Sequence, residues 1–253
     1  MLTVQNLYCG YGDTPVLKDV SFSIKSGQRL CVMGQNGCGK TTLLRAIAGL
    51  LPYKGQVSIC EQDIGSLSRK QIAQNIALMS QISSVYFSYT VYETVLMGRY
   101  SHSSGAFGQA SAKDKEIALE AMARTGTLDL KDRLTTDLSG GQLQRVFLAR
   151  TFAQSPRLIL LDEPTNHLDL KYQVQLVEDL KSWAQQEQRC VVGVLHDVNL
   201  ALEFADTILL LDDGKVQTFT DAAEFDVSLL SKIYQMDVGG YMRRCLKRWE
   251  DIR

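Results

Sequence analysis

A glycine-rich segment early in the chain has the residue types and spacing of a phosphate-binding loop. Residues 34–41 read Gly-Gln-Asn-Gly-Cys-Gly-Lys-Thr, which fits G-x-x-x-x-G-K-[ST]. Glycines let the backbone bend so that successive N–H groups face one phosphate cluster, and a following helix adds its positive dipole end. Lys40 is expected to neutralise the β- and γ-phosphates and the Thr41 hydroxyl to bind Mg²⁺. Gly37 and Cys38 are expected to be small because the loop needs room, and neither is expected to have a chemical role. The expected nucleotide contacts are Gly34, Asn36, Gly37, Cys38, Gly39, Lys40, Thr41 and Thr42.

Two adjacent carboxylates follow an apolar run at residues 158–161. Such a run is typical of a buried strand, and ligands of open α/β sheets bind at the carboxyl ends of the strands. Asp162 is therefore expected to hold Mg²⁺. Glu163 is expected to act as the general base for a water molecule, which an ATPase needs and a kinase does not. A helix cap is the alternative for such a pair, and the phosphate loop makes it the weaker one.

The segment Leu-Ser-Gly-Gly-Gln at residues 138–142 resembles the signature motif of the ATP-binding-cassette (ABC) ATPases. Ser139 and Gln142 also have the spacing of a capping box at a helix start, and the two interpretations are compatible. In this family the signature contacts the ATP bound by the other subunit. The resemblance therefore implies a head-to-tail dimer of two copies, with nucleotide contacts from Ser139, Gly140, Gly141 and Gln142.

Further positions of this family follow in order along the chain. Tyr11 matches the aromatic residue that stacks on adenine, with Tyr8 as the alternative. Gln81 matches the glutamine that contacts Mg²⁺ and water and joins the core to a helical insertion. The Asn-His-Leu-Asp run ending at Asp169 matches the loop that crosses the dimer interface, so Asp169 is expected to be a positioning residue near the nucleotide. His196, directly after an apolar run, matches the histidine that contacts the γ-phosphate, so the expected catalytic set is Glu163, His196 and Gln81.

These residues need a framework that brings separate parts of the chain together. Alternation of apolar and polar residues in the first 60 positions predicts an antiparallel sheet. Short continuous apolar runs predict a parallel sheet buried on both faces, and helical spacing predicts the helices that cover it. The expected fold is α/β with an N-terminal antiparallel β subdomain and an inserted helical subdomain, and the resemblance implies that its core is that of a P-loop NTPase (RecA-like). One cassette is expected over residues 1–253, with the core at 1–81 and 156–253 and the helical signature subdomain at 82–155. The continuous apolar runs that predict the parallel strands are at residues 30–33, 158–161, 190–195 and 208–211.

Composition excludes several function classes. With Lys+Arg 27 against Asp+Glu 28, the chain lacks the basic excess of a nucleic-acid-binding protein. Its apolar runs are far shorter than the ~20 residues that cross a bilayer, and no secretory signal is recognised at the N-terminus, so the cytosol is expected. The six cysteines form no CxxC pair and are expected to be reduced and mostly buried. His102 is expected to be exposed and His167 to have no role.

Two segments resemble one group within the family. Residues 95–102 and 229–238 resemble stretches of the subunits that serve importers of iron-siderophore, haem and cobalamin, although Ser101 replaces a proline. This resemblance implies ATP and Mg²⁺ as cofactors, two permease subunits on separate chains, an indirect extracytoplasmic substrate-binding protein, and a peripheral place on the cytoplasmic membrane face. The aromatic residues 86–89 are a candidate floor for a permease helix, with core packing as the alternative. An oxyanion such as molybdate remains open as the substrate.

Non-transport members of the family are the remaining alternatives. A DNA-repair or chromosome-structural ATPase needs a long coiled-coil insertion, and no sustained heptads lie between residues 42 and 137. A translation-associated protein normally carries two cassettes and a basic surface. A regulator that only binds ATP is disfavoured because Glu163 and His196 are present. The sequence therefore favours an importer subunit that hydrolyses ATP.

Overall fold

The computed structural model describes residues 1–80, 88–102, 110–166, 168–186 and 189–252. Its N-terminal part forms a four-stranded antiparallel sheet in the order β2-β1-β4-β5. The apolar residues Val20, Phe22 and Ile24 alternate with exposed neighbours, so one face of this sheet is buried and the other is solvated. The predicted antiparallel strands are confirmed. Their bounds are β1 Leu2–Tyr11, β2 Thr14–Ile24, β4 Tyr53–Ile59 and β5 Gln62–Asp63.

A six-stranded sheet forms the centre of the protein. Its order is β10-β9-β3-β8-β7-β6, and β10 at one edge is its antiparallel member. Every residue of β7 and β8 is buried, as expected of parallel strands covered on both faces. The predicted parallel strands are therefore confirmed. Their bounds are β3 Arg29–Met33, β6 Ile76–Met79, β7 Leu158–Asp162, β8 Cys190–Val194, β9 Thr207–Asp212 and β10 Lys215–Asp221.

Helices cover both faces of the central sheet. The helix expected after the phosphate loop is present, and the helix beginning at Gly140 has the predicted capping box. Nowhere in the described ranges does a helix combine the length and apolarity needed to cross a membrane. The helices are α1 Lys40–Ile47, α2 Arg69–Asn75, α3 Val91–Leu96, α4 Ala112–Arg124, α5 Gly140–Ala153, α6 Leu170–Ala184, α7 Val198–Phe204, α8 Ser228–Tyr234 and α9 Val238–Asp251.

Strand β3 separates two hydrophobic cores. Its residues Leu30 and Val32 pack with α1 and the antiparallel sheet, whereas Cys31 and Met33 pack with the helices on the other side. Because successive side chains of a strand point to opposite faces, four residues of β3 contribute to both cores, two to each. The phosphate-loop segment, which follows Met33, is thereby mounted on a strand that packs on both faces of the sheet.

The helices between residues 88 and 153 meet around one buried ion pair. Arg99, in a 3₁₀ segment after α3, donates to Asp114 of α4 across 2.9 Å and to the Ala153 carbonyl of α5 across 2.8 Å. Ser111 caps α4 and also donates to Asp114. One guanidinium thus ties three helical elements together. The subdomain boundaries given above stay a prediction.

Candidate nucleotide-binding and hydrolysis site

The segment between β3 and α1 has a backbone that only glycine tolerates well. A Cβ on Gly34 would lie 2.1 Å from the Leu211 carbonyl oxygen. A Cβ on Gly37 would meet nothing within 4 Å, but the φ of this residue is +82°. The left-handed backbone is a requirement for glycine that was not predicted from the sequence, and the expectation that Gly37 leaves room in the loop stays a prediction. Cys38 is buried beside Gly34, and Gly39 precedes α1 at φ +110°.

The ammonium group of Lys40 lies over the loop. Its Nζ donates to the carbonyl oxygens of Gly34 (2.7 Å) and Gln35 (2.8 Å), and the residue is buried. Asn36 and Gly37 are exposed, while Thr42 is buried in the first turn of α1. The loop thus presents a solvent-accessible backbone around a held positive charge, which is the arrangement that receives phosphate groups.

Asp162 ends β7 with a carboxylate that is incompletely satisfied. The residue is buried, and among the described residues no hydrogen-bond partner reaches its Oδ1. Burial raises the pKa of Asp162, while a hydrogen bond with Thr41 and the charges of Arg45 and Lys40 act in the opposite direction. A buried carboxylate oxygen next to a hydroxyl is a donor set that suits Mg²⁺, which takes a few protein oxygens and fills its shell with phosphate and water.

Glu163 lies one residue further and adopts a strained backbone. Its φ is +55°, a region that non-glycine residues rarely occupy and that is concentrated at functional sites. Its Oε1 lies 2.6 Å from His196 Nε2, and its Oε2 accepts from Asn166 Nδ2 across 2.7 Å. Burial raises the pKa of Glu163, but the hydrogen bonds from His196 and Asn166 and the charge of Lys40 outweigh it, so the pKa lies below its ordinary value.

The parallel sheet brings these residues to one edge. Val194 of β8 pairs with Val32 of β3 on one side and with Asp162 of β7 on the other. The segments after the three strands, which carry the phosphate loop, Glu163 and His196, are therefore neighbours. Gln81, predicted to join this group after β6, lies outside the described residues, as does His167.

The signature residues lie at the start of α5. Ser139 is the N-cap: its Oγ accepts from the Gln142 N–H, and the Ser139 N–H donates to the Gln142 side chain. Ser139 and Gly140 are exposed, and Gly141 is half-buried. Asp169 caps α6 by accepting from the Tyr172 N–H across 3.1 Å. Both helix starts thus have a local structural function in addition to the predicted one.

Tyr11 ends β1 beside the helix that follows the phosphate loop. Its hydroxyl accepts from Arg45 of α1 across 3.2 Å, and 46% of the residue is exposed. Tyr8 is equally exposed, although no described hydrogen bond connects it to α1. The contact with α1 favours Tyr11 over Tyr8 as the aromatic residue next to the nucleotide.

Three contacts at this edge of the sheet were not predicted from the sequence. Asn166 belongs to a predicted loop, yet nothing in its spacing indicated the bond to Glu163. Gln144 of α5 donates to the Pro164 carbonyl across 3.0 Å and joins the signature helix to the loop after Glu163. The Tyr234 hydroxyl, at the end of α8, donates to the Gly34 carbonyl across 3.4 Å. Tyr234 and Gly34 are 200 residues apart, so no local pattern could reveal their contact.

A second surface lies on the helical region. Tyr89 and Tyr100 are 44% and 78% exposed and border a groove of about 300 Å³ together with Met97. Residues 86 and 87 of the predicted aromatic floor lie outside the described residues. The prediction that His102 is exposed is wrong. The residue is half-buried, and its Nε2 lies 2.9 Å from the Gln154 carbonyl oxygen.

Comparison with known sequences places the chain among transport proteins. The family described as ABC transporter matches residues 17–166. The petrobactin import ATP-binding protein FpuD of Bacillus anthracis is 37% identical over 93% of this chain and 87% of its own length. The cobalamin import ATP-binding protein BtuD of Halobacterium salinarum is 41% identical over 85% of this chain, which spans 54% of the length of that relative.

Solved structures agree in fold. A transporter assigned to the metal-chelate type, in an inward-facing conformation, superposes with a TM-score of 0.79 at 32% identity, over 92% of this chain and 88% of that one. The dimeric cassette MJ0796, in a post-hydrolysis state bound to ADP and Pi, superposes with a TM-score of 0.78 at 29% identity, over 89% of this chain and all of that one. The predicted fold class is confirmed.

Proposed function

Because the chain belongs to the ABC transporter family and is an ATPase of that family, we propose that it energises the import of a metal chelate through a separate permease. The observation that carries the proposal is the arrangement of the phosphate loop, Asp162, Glu163 and His196 at one edge of the parallel sheet. Binding of a triphosphate and activation of water need these groups together. The role of each residue in binding and hydrolysis is part of the proposal.

Phosphate binding falls to the loop after β3. Its N–H groups and the dipole of α1 receive the β- and γ-phosphates, and Lys40 exchanges its two carbonyl partners for phosphate oxygens. Thr41, Asp162 and Gln81 hold Mg²⁺, which supplies positive charge to the phosphate oxygens. The orphaned Oδ1 of Asp162 supports this assignment, because a buried carboxylate oxygen without a partner gains most from a cation.

Water activation falls to Glu163. Its lowered pKa keeps the carboxylate ionised at neutral pH, so it can accept a proton from water. His196 moves from Glu163 to the γ-phosphate when nucleotide binds, and Gln81 orients the water. The chemistry is a transfer of the γ-phosphoryl group to water, which yields ADP and phosphate.

A second copy of the chain completes each site. The exposed start of α5 offers the N–H groups of Gly140 and Gly141, together with the Ser139 hydroxyl, to the γ-phosphate held by the partner. Asp169 positions the loop at the dimer interface, and Tyr11 stacks on adenine. Support comes from the dimeric state of the ADP-bound cassette MJ0796, which this chain resembles over 89% of its length.

The permease binds at the groove of Tyr89 and Tyr100. Exposed aromatic side chains over a rigid base mark interfaces, and the buried Arg99–Asp114 pair supplies that base. The chain thereby sits on the cytoplasmic face of the membrane, and an extracytoplasmic binding protein delivers the substrate. A metal chelate is favoured over an oxyanion because FpuD, BtuD and the metal-chelate transporter are similar to this chain.

Reconstitution tests this function. The chain is co-expressed with its genomic neighbours, purified from membranes through a tag on the chain, and assayed in proteoliposomes for ATP-driven uptake of a ferric siderophore, cobalamin and molybdate. We expect uptake of a chelate. Tyr89→Glu should abolish uptake and keep basal ATP hydrolysis, while Trp249→Glu, at a 74%-exposed aromatic residue of α9, should keep both. Uptake of molybdate alone, or uptake unaffected by Tyr89→Glu, contradicts the proposal.

A further inference from the structure

The Glu163 carboxylate is held at both oxygens, and the two donors differ in kind. His196, which holds Oε1, is exposed and stands at the free end of β8. Asn166, which holds Oε2, belongs to the same tight turn as Glu163, and its N–H donates to the Glu163 carbonyl across 3.3 Å. One donor can leave by a side-chain rotation, whereas the other is tied to Glu163 through the backbone.

The loop that carries Asn166 is anchored from two helices. Gln144 of α5 bonds the Pro164 carbonyl, and Gln173 of α6 donates to the Leu168 carbonyl across 3.1 Å. Pro164, Thr165 and Leu168 are buried. These bonds anchor the loop at Pro164 and Leu168, before and after Asn166, and the Asn166 amide donates to Oε2 of Glu163.

Glu163 needs such a support. Its backbone has a positive φ, so the side chain starts from a position that neighbouring residues must stabilise. If His196 turns towards a phosphate, Oε1 loses its partner, and without Asn166 the whole carboxylate would be free to rotate. A neutral amide is suited to the task, because it donates a hydrogen bond without gaining or losing a proton itself.

We propose that Asn166 is a positioning residue that holds Oε2 of Glu163, so that Oε1 is the oxygen that accepts the proton of the attacking water. The inference rests on the proposed ATPase function of this edge. In the step concerned, one proton of water passes to Oε1 and the water oxygen bonds to the γ-phosphorus. The bond from that phosphorus to the bridging oxygen breaks, and ADP leaves. Asn166 touches neither ATP nor water and acts through Glu163.

A double-mutant cycle tests this assignment. Asn166→Ala should lower kcat about ten- to a hundredfold, the loss typical of a hydrogen bond to a charged group, and leave the dissociation constant of MgATP unchanged. In the Glu163→Gln background, the residual rate measured by single-turnover phosphate release should change by less than about twofold on adding Asn166→Ala. Asn166→Asp, which keeps the shape and removes the donor, should lose at least as much activity as Asn166→Ala.

Gln173→Ala is the matched control, because Gln173 anchors the same loop without touching Glu163. Its effect on the rate should be the same in both backgrounds, as for an independent structural contact. Equal effects of Asn166→Ala in both backgrounds, or full activity of Asn166→Asp, overturn the positioning role. Near-normal turnover of Glu163→Gln alone refutes the base role of Glu163 in the proposed function instead, so the two failures are distinguishable.

Discussion

Two buried aspartates show how differently this fold treats the same carboxyl group. Asp114, in the helical region, has both oxygens bonded, by Ser111 and Arg99, and these bonds hold its pKa at about 2. Asp162, at the sheet edge, keeps a buried oxygen without a partner among the described residues, and burial raises its pKa. A satisfied charge is part of a structural joint, whereas an unsatisfied one awaits a ligand. For these two aspartates, the presence or absence of a hydrogen-bond partner at every oxygen distinguishes the helical scaffold from the proposed metal-binding end of the site.

The largest expected effect is a loss of ATP hydrolysis at the site with the helical scaffold unchanged. Glu163→Gln keeps the shape of the side chain and removes its basic oxygen, so ATP hydrolysis should fall by about 10²- to 10⁴-fold. MgATP binding should persist, because Lys40, Thr41 and Asp162 are unchanged. A steady-state phosphate-release assay beside a binding titration measures both.

Blocked hydrolysis should also reveal the dimer. Since ATP then remains between two copies, ligand binding should favour the closed dimer by mass action. Size-exclusion chromatography of Glu163→Gln with and without MgATP should show a dimer in the presence of nucleotide. A rate close to that of the wild type would remove Glu163 from the base role.

The next largest expected effect is a loss of folding stability in the helical scaffold. Asp114→Ala leaves Arg99 buried without its partner, which should lower the free energy of unfolding by about 3–5 kcal/mol. Urea denaturation measures it, and Glu120→Ala, at an exposed position of the same helix, is the control. A loss no larger than that of Glu120→Ala would show that the ion pair does not join these helices.

The same joint has a predictable pH dependence. The folded pKa of Asp114, about 2, lies below the unfolded value of about 3.9. Its contribution to stability is therefore present above the unfolded value and is lost as the pH falls through the folded one. The stability difference between wild type and Asp114→Asn should stay constant near neutral pH and shrink as the pH falls below about 4. A difference that grows with acidity would contradict the assignment.

A smaller effect concerns the adenine end of the site. Tyr11→Ala should weaken ATP binding by about 1–3 kcal/mol, the range of base–aromatic stacking. Tyr11→Phe keeps the ring and loses the bond from Arg45, so its effect should be mild. A titration with a fluorescent ATP analogue compares the two, and equal losses would indicate a role for the hydroxyl instead.

The smallest expected effect has the opposite sign. Because burial raises the pKa of Asp162, its ionised form costs stability at neutral pH in the absence of ligand. Asp162→Asn should therefore stabilise the nucleotide-free protein by about 0.5–2 kcal/mol, as substitutions at strained sites do. Thermal unfolding measures the change. A lower Tm for Asp162→Asn without nucleotide would mean that the carboxylate is satisfied after all.

Most of the fold was predictable from local sequence patterns. The buried strands and the helices have continuous or periodic apolar residues that a short window reveals, and the capping box at Ser139 is visible from its spacing. The carboxyl-edge rule placed Asp162 and Glu163 at the ligand-binding edge of the sheet, and the family resemblance added His196, although these residues lie more than a hundred positions from the phosphate loop.

Contacts that depend on backbone geometry or on distant residues were not predictable. The positive φ of Glu163 has no signal in a glutamate, and the bond from Asn166 depends on the turn that this φ creates. The prediction that His102 is exposed was wrong because its ring nitrogen contacts the carbonyl oxygen of Gln154, which lies 52 residues away in the sequence. Such contacts follow from packing between elements, which one sequence does not reveal.

One measurement tests the contrast between site and scaffold most directly. It is the steady-state release of phosphate from MgATP by Asp162→Asn and Asp114→Asn, side by side, below the unfolding temperature of both variants. Asp162→Asn should lose at least about a hundredfold in rate, because the metal contribution is worth several kcal/mol, while Asp114→Asn should stay within about threefold of the wild type. Equal losses in the two variants, or a larger loss for Asp114→Asn, would contradict this division between site and scaffold.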